Sequence, residues 1–190
     1  RRFAARLGPS GTVLLGLALE VSSVIALALL IRGDTPGWLV ATPLVIYGLG
    51  LGLASAQLTG TVLRDVPVDQ SGQGSATQST LRQFGSALGT AFSGAALSVA
   101  LSLTLPAALN TADITGNKAD SIAHATRESA GTTIAQLRTQ GIDSPLGTHT
   151  IGAVHALSDG FADAARWALL IAAAFLVLGL FGASRLRKST

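Results

Sequence analysis

The sequence predicts an all-α membrane protein, a polytopic bundle of four transmembrane helices with a long external loop before the last. Charged residues make up only 12% of the chain while apolar residues make up 48%, against about 25% charged in an ordinary soluble domain. Four stretches, about 11–31, 38–63, 74–103 and 161–186, are apolar enough and long enough to cross a bilayer. Residues 104–160 hold no comparable run and divide the chain into a three-helix part, 1–103, an extracytoplasmic loop, and a last helix with a basic cytoplasmic tail, 161–190.

The first span follows a basic stub, Arg1 to Pro9, and is interrupted only by Thr12, Glu20, Ser22 and Ser23. At about 1.5 Å per residue it covers roughly 32 Å, the thickness of the hydrocarbon core. Arg32 to Gly37, with its Gly, Asp and Pro, reads as a turn. The second span, from Trp38, carries Pro43 in its first turns, where a missing N–H does least harm. Within it, Gly48, Gly50 and Gly52 thin the helix, and Gly48 and Gly52 are candidate packing positions against a neighbouring helix. The same GLGLG run lacks the strand and turn that a dinucleotide loop requires.

The third span begins polar and becomes small and apolar. On a helix, Gln78, Arg82, Ser86, Gly89 and Ser93 fall at spacings of four, four, three and four and share one face. Gly85, Gly89 and Ser93 have the small-residue spacing that allows two helix backbones to approach closely in lipid. The loop after Leu105-Pro106 is rich in Ala, Thr, Ser, Asp and Gly, and reads as a solvated external loop. A surface helix within 118–140 is the alternative, marked by a faint stripe of Ile122, Ile134 and Leu137. The fourth span ends at Arg185, Arg187 and Lys188.

Four spans put both termini on one side. The terminal and second-to-third-span segments carry Arg1, Arg2, Arg6, Arg64, Arg82, Arg185, Arg187 and Lys188 against Asp65 and Asp69. The other side carries more acidic than basic residues, so the positive-inside rule places both ends in the cytoplasm of a plasma-membrane protein. Trp38 and Trp167 then lie at the outer interface, as an aromatic belt would have them.

Several function classes drop out. The net charge of +3 is scattered between apolar spans and makes no basic patch interleaved with aromatics, which argues against nucleic acid as a partner. With no cysteine there is no disulfide, thiol nucleophile or thiolate metal site. His124, His149 and His155 lie in the loop without zinc-ligand spacing, so no metal is expected. No catalytic constellation and no cofactor motif is present, and an enzyme is not expected.

Arg82-Gln83-Phe84-Gly85 followed by Gly89-Thr90-Ala91 resembles the "RQ-aromatic-or-Leu-G…G" helix of major facilitator drug:proton antiporters, most closely the fourteen-helix branch. The preceding loop, Asp65 to Gly72, the stub's Arg6-Leu7-Gly8-Pro9 and the entrance to the last helix resemble the same branch. The resemblance implies that the four spans are the last four helices of such a transporter, with Arg1 inside a longer polypeptide. It also implies a hydrophobic or cationic small-molecule substrate, protons as the coupling ion, and the remaining helices of the same transporter as partners within the bilayer. Family members often have Asn near the position of Gln78.

Four residues are candidates for the substrate or proton pathway. Glu20 is the carboxylate near the middle of a span, where a charge costs about 2.5–3.5 kcal/mol on insertion scales. It is either a proton-coupling or cation-recognising group, or a structural Glu that is protonated or paired with Ser23. Gln57 either lines a cavity or hydrogen-bonds a neighbouring helix. Arg82, beside Gln78, either contacts the loop or another helix during rocking, or snorkels to the surface. The expected function is proton-coupled multidrug efflux; the alternative is a non-transporting membrane module for packing or assembly.

Overall fold

A computed structural model of the chain describes residues 2–62 and 66–188, with side chains described from 8 to 185 except at 59 and 61–65. Several of the charges that set the expected orientation, at Arg1, Arg2, Arg6, Arg64, Asp65, Arg187 and Lys188, lie outside the described side chains. The molecule is a helical membrane bundle with no strand among the described residues. Its elements are α1 (Arg2–Leu30), α2 (Gly37–Val62), α3 (Ser71–Thr111), α4 (Asn117–Glu128), α5 (Thr132–Gln140) and α6 (Thr150–Lys188). Four of these, α1, α2, α3 and α6, contain segments long and apolar enough to cross a membrane.

Gly8, at φ 68 and ψ 171, breaks α1 near its start. The spanning part of α1 resumes at Pro9, whose fixed φ suits a first helical position and whose missing N–H has no acceptor there to lose. Helix α1 packs on α2, where the two backbones come closest at Gly16 and Gly50: a Cβ added to Gly16 would sit 2.6 Å from the Gly50 carbonyl oxygen. The close contact therefore falls on the middle glycine of GLGLG, whereas Gly48 and Gly52 have open space where a Cβ would go. Helix α1 also packs on α6, and α6 on α3, while α2 and α3 barely meet. The four spans thus form an open arc in the order α2, α1, α6, α3.

Helices α3 and α6 have 41 and 39 residues, about 60 Å each, which is twice the hydrocarbon thickness. Their surplus length forms a stalk. The third helix continues past 103 to Thr111 and the last begins at Thr150, so the stretch expected as a loop from 104 to 160 is mostly helical. Between the two stalks, α4 and α5 fold down as a hairpin and make a cap. Its core comprises Leu101, Leu105 and Leu109 from α3, Ile114, Ala119 and Ala123, Leu137 from α5, and Ala153, Val154, Leu157 and Ala164 from α6.

The caps of these helices explain how the chain turns. Asp113 has φ 58, the Ile114 N–H donates to the Leu109 carbonyl at 3.1 Å, and the Asp113 N–H donates to Asn110 at 3.2 Å. That is a Schellman ending, with Ile114 and Leu109 meeting in the core as its hydrophobic contact. Helix α4 ends the same way: Ala130 has φ 49, and the Gly131 N–H donates to the Thr126 carbonyl at 2.9 Å.

Candidate solute cavity

The concave side of the arc encloses a cavity of about 940 Å³ with walls from all four spanning helices. Ser23, Val24 and Leu27 line it from α1, and Pro43, Leu44 and Tyr47 from α2. Gly85, Leu88, Gly89, Phe92 and Ser93 line it from α3, and residues from Ala168 to Leu176 from α6. None of the lining residues is charged. The Ser23 hydroxyl donates to the Leu19 carbonyl at 2.6 Å, which uses its proton inside its own helix. Tyr47 and Ser93 also line the cavity, and among the described residues neither hydroxyl has a hydrogen-bond partner. Phe92 and Phe175 meet edge-to-face across the α3–α6 side, with ring centroids 5.0 Å apart and planes at 78°, a geometry worth about 0.5–1.5 kcal/mol beyond area burial. The cavity is apolar with a few hydroxyl handles, the usual make-up of a small-molecule site.

The face of α3 that carries Gly85, Gly89 and Ser93 looks into this cavity, and a Cβ on either glycine would meet nothing within 4 Å. Within the described chain these residues make cavity wall; a packing helix for them would have to come from elsewhere.

The four pathway candidates do not converge. Glu20 is 5% exposed and its backbone N lies 3.0 Å from where a Cβ of Gly50 would be, at the α1–α2 contact. It is one helical turn from Ser23 and does not line the cavity. Among the described residues no hydrogen bond joins Glu20 to Ser23, whose hydroxyl donates to the Leu19 carbonyl. Gln57 is half-buried on α2, farther along the same helix. Gln78 and Arg82 share a second cavity of about 680 Å³, which also includes Leu58 of α2, Gln70 just before α3, and Gln73 and Thr77 in its first turns.

Sequence reasoning passed over Tyr47, Phe92, Phe175 and Arg166. Tyr47 is the chain's single tyrosine and sits in an otherwise apolar span, which was signal enough to mark it. The two phenylalanines carry no such mark, since their meeting depends on how α3 and α6 are rotated.

No family model matches the chain, and no solved structure matches it. Over 70 residues, 37% of this chain, it is 43% identical to the riboflavin transporter RibZ of Clostridioides difficile (strain 630). The matched stretch is 15% of that transporter's length, so the chain spans a small part of its relative. The four membrane-length helices make this a multi-pass membrane protein, and the relative it resembles over that stretch is by its name a transporter.

Proposed function

We propose that this chain is the C-terminal part of a proton-coupled efflux antiporter of the major facilitator type, and that the four-walled cavity is part of its solute path. The observation that carries the reading is the cavity itself, in which all four spans contribute walls and none contributes a charge. An apolar and aromatic wall that also carries Tyr47 and Ser93 has the make-up of a small-molecule site, which favours this reading over a packing module. The substrate is a hydrophobic or lipophilic cationic solute held by apolar and aromatic contact. The open side of the arc between α2 and α3 leaves room for further helices of the same transporter, the second wall that alternating access requires. Both ends of the chain face the cytoplasm and the cap faces outward, following the charge asymmetry of the sequence.

In this reading Glu20 is the proton site. It is a carboxylate buried within a span, next to the contact that holds α1 to α2 and one turn from the cavity. Among the described residues it has no ion-pair partner to fix its charge. Gln78 and Arg82, in the second cavity near the cytoplasmic end, take part in rocking. A planar flavin-like solute is the second reading, favoured by the similarity to a riboflavin transporter.

Inverted vesicles containing the full-length protein test both readings, with an imposed pH gradient and ethidium or riboflavin as the solute. Gradient-driven ethidium movement that Glu20→Gln uncouples from pH is the expected result. Movement of riboflavin alone selects the second reading, and no pH-dependent movement of either solute removes proton-coupled export.

A further inference from the structure

The α1–α2 pair and the α3–α6 pair are each locked internally. In the first, the Gly16 and Gly50 backbones touch; in the second, Gly160 lies against α3, where an added Cβ would be 3.0 Å from the Ala108 Cβ and 3.2 Å from the Thr104 carbonyl oxygen. The cavity draws walls from both pairs, and across its opening α2 and α3 scarcely meet. Its width is therefore fixed along the remaining seam, between α1 and α6.

On that seam, Arg166 of α6 reaches the end of α1. Its Nε donates to the Ala28 carbonyl at 3.1 Å and one Nη to the Ile31 carbonyl at 3.2 Å, while the other Nη lies 3.4 Å from Asp163 Oδ1. The last carbonyls of a helix have no partner within it, and a guanidinium there answers both the unmet acceptors and the negative end of the helix dipole. The fork of donors suits two acceptors at once, which an ammonium cannot match. Nearby, Gly33 in the α1–α2 turn lies so close to Ser158 and Asp159 of α6 that an added Cβ would meet their backbone at 2.9 Å. Cavity-lining residues flank the tie on both helices: Leu27 precedes Ala28, and Ala168 and Leu169 follow Arg166.

We propose that Arg166 is a positioning residue that holds the end of α1 to α6 and so sets the width of the cavity between the two helix pairs. It touches no solute and acts through the seam. The inference rests on the transport reading only for its consequence, since the width itself is measurable without a substrate.

In the full-length protein, with any cysteine outside this chain replaced by serine, spin labels at Val45→Cys on α2 and Val99→Cys on α3, both exposed, report the distance across the opening by pulsed EPR. Arg166→Gln should lengthen and broaden the distance distribution, and Arg166→Lys should give an intermediate one because it reaches one carbonyl at a time. If Arg166→Gln does not reach the membrane folded, the Lys variant decides. A distribution equal to the parent's in whichever variants fold overturns the proposal. Failure of the parent to move ethidium or riboflavin would count against the transport reading and leave this distance result standing.

Discussion

The cap and the spanning bundle are built from the same helices by opposite rules. Where α3 and α6 rise into the cap, their inward residues Leu105, Leu109 and Leu157 are completely buried. Where the same two helices span, Phe92, Phe175, Leu178 and Phe181 are more than half exposed. In water an exposed leucine forgoes about 1.5–3 kcal/mol of burial, so the cap closes on a core. In lipid that gain is absent, and helices associate through backbone proximity and a few polar ties instead. The bundle accordingly holds together at Gly16–Gly50 and at Arg166, and it keeps an open apolar cavity that the cap would not tolerate.

The largest effect expected from this contrast is on a leucine moved from one regime to the other. Leu157→Ala, at 0% exposure, should cost about 2–5 kcal/mol, read as a fall of roughly 5 °C or more in thermal midpoint in a fixed detergent. Leu178→Ala, at 66% exposure, should stay within about 0.5 kcal/mol. Equal losses at both would mean that Leu178 is covered by protein in the native assembly.

A smaller effect separates the glycines of GLGLG. Gly50→Ala drives a Cβ to 2.6 Å from the Gly16 carbonyl oxygen, and because the obstacle is backbone the helices must part, at about 1–3 kcal/mol. Gly48→Ala meets open space and should gain about 0.5–1 kcal/mol from helix propensity. A loss at Gly48 in the full-length protein would reveal a helix packed on that face.

Smallest, and opposite in sign to the usual core deletion, is Thr126→Val. The Thr126 side chain is fully buried in the cap and its hydroxyl has no partner among the described residues. Removing the hydroxyl should raise stability by up to about 1 kcal/mol, measured in the same unfolding assay; a clear loss would mean that the hydroxyl is satisfied by a buried water.

How much of this was legible depended on which rule governed each segment. The four spans could be read because a run of about twenty apolar residues matches the bilayer thickness as a helix and has little other use. The cap could not, because α4 buries Ala119, Ala123 and Thr126 at spacings of four and three, a stripe of small residues that looks like solvated loop composition. Of the three residues that suggested a surface helix, Leu137 is buried in that core, while Ile122 and Ile134 pack on its edge. In GLGLG the segment was legible and the contact was not, since residues two apart point to nearly opposite sides of a helix and only the position of α1 selects Gly50. Arg166 looked like one more loop-side charge; its role depends on carbonyls more than 130 positions away. The stripe of Gln78, Arg82, Ser86, Gly89 and Ser93 serves two different cavities, with Gln78 and Arg82 lining one and Gly89 and Ser93 the other.

The claim that the four helices wall a solute path is tested most directly at Ser93, an exposed residue on the cavity wall of α3. With Ser93→Cys as the one thiol in the full-length protein, a small maleimide should label it, and saturating ethidium, or riboflavin if that is the solute moved, should slow labelling several-fold. The same solute should leave a cysteine at Leu178, outside the cavity, labelling at its original rate. Labelling of Ser93→Cys that is indifferent to a solute the protein demonstrably transports would contradict the account.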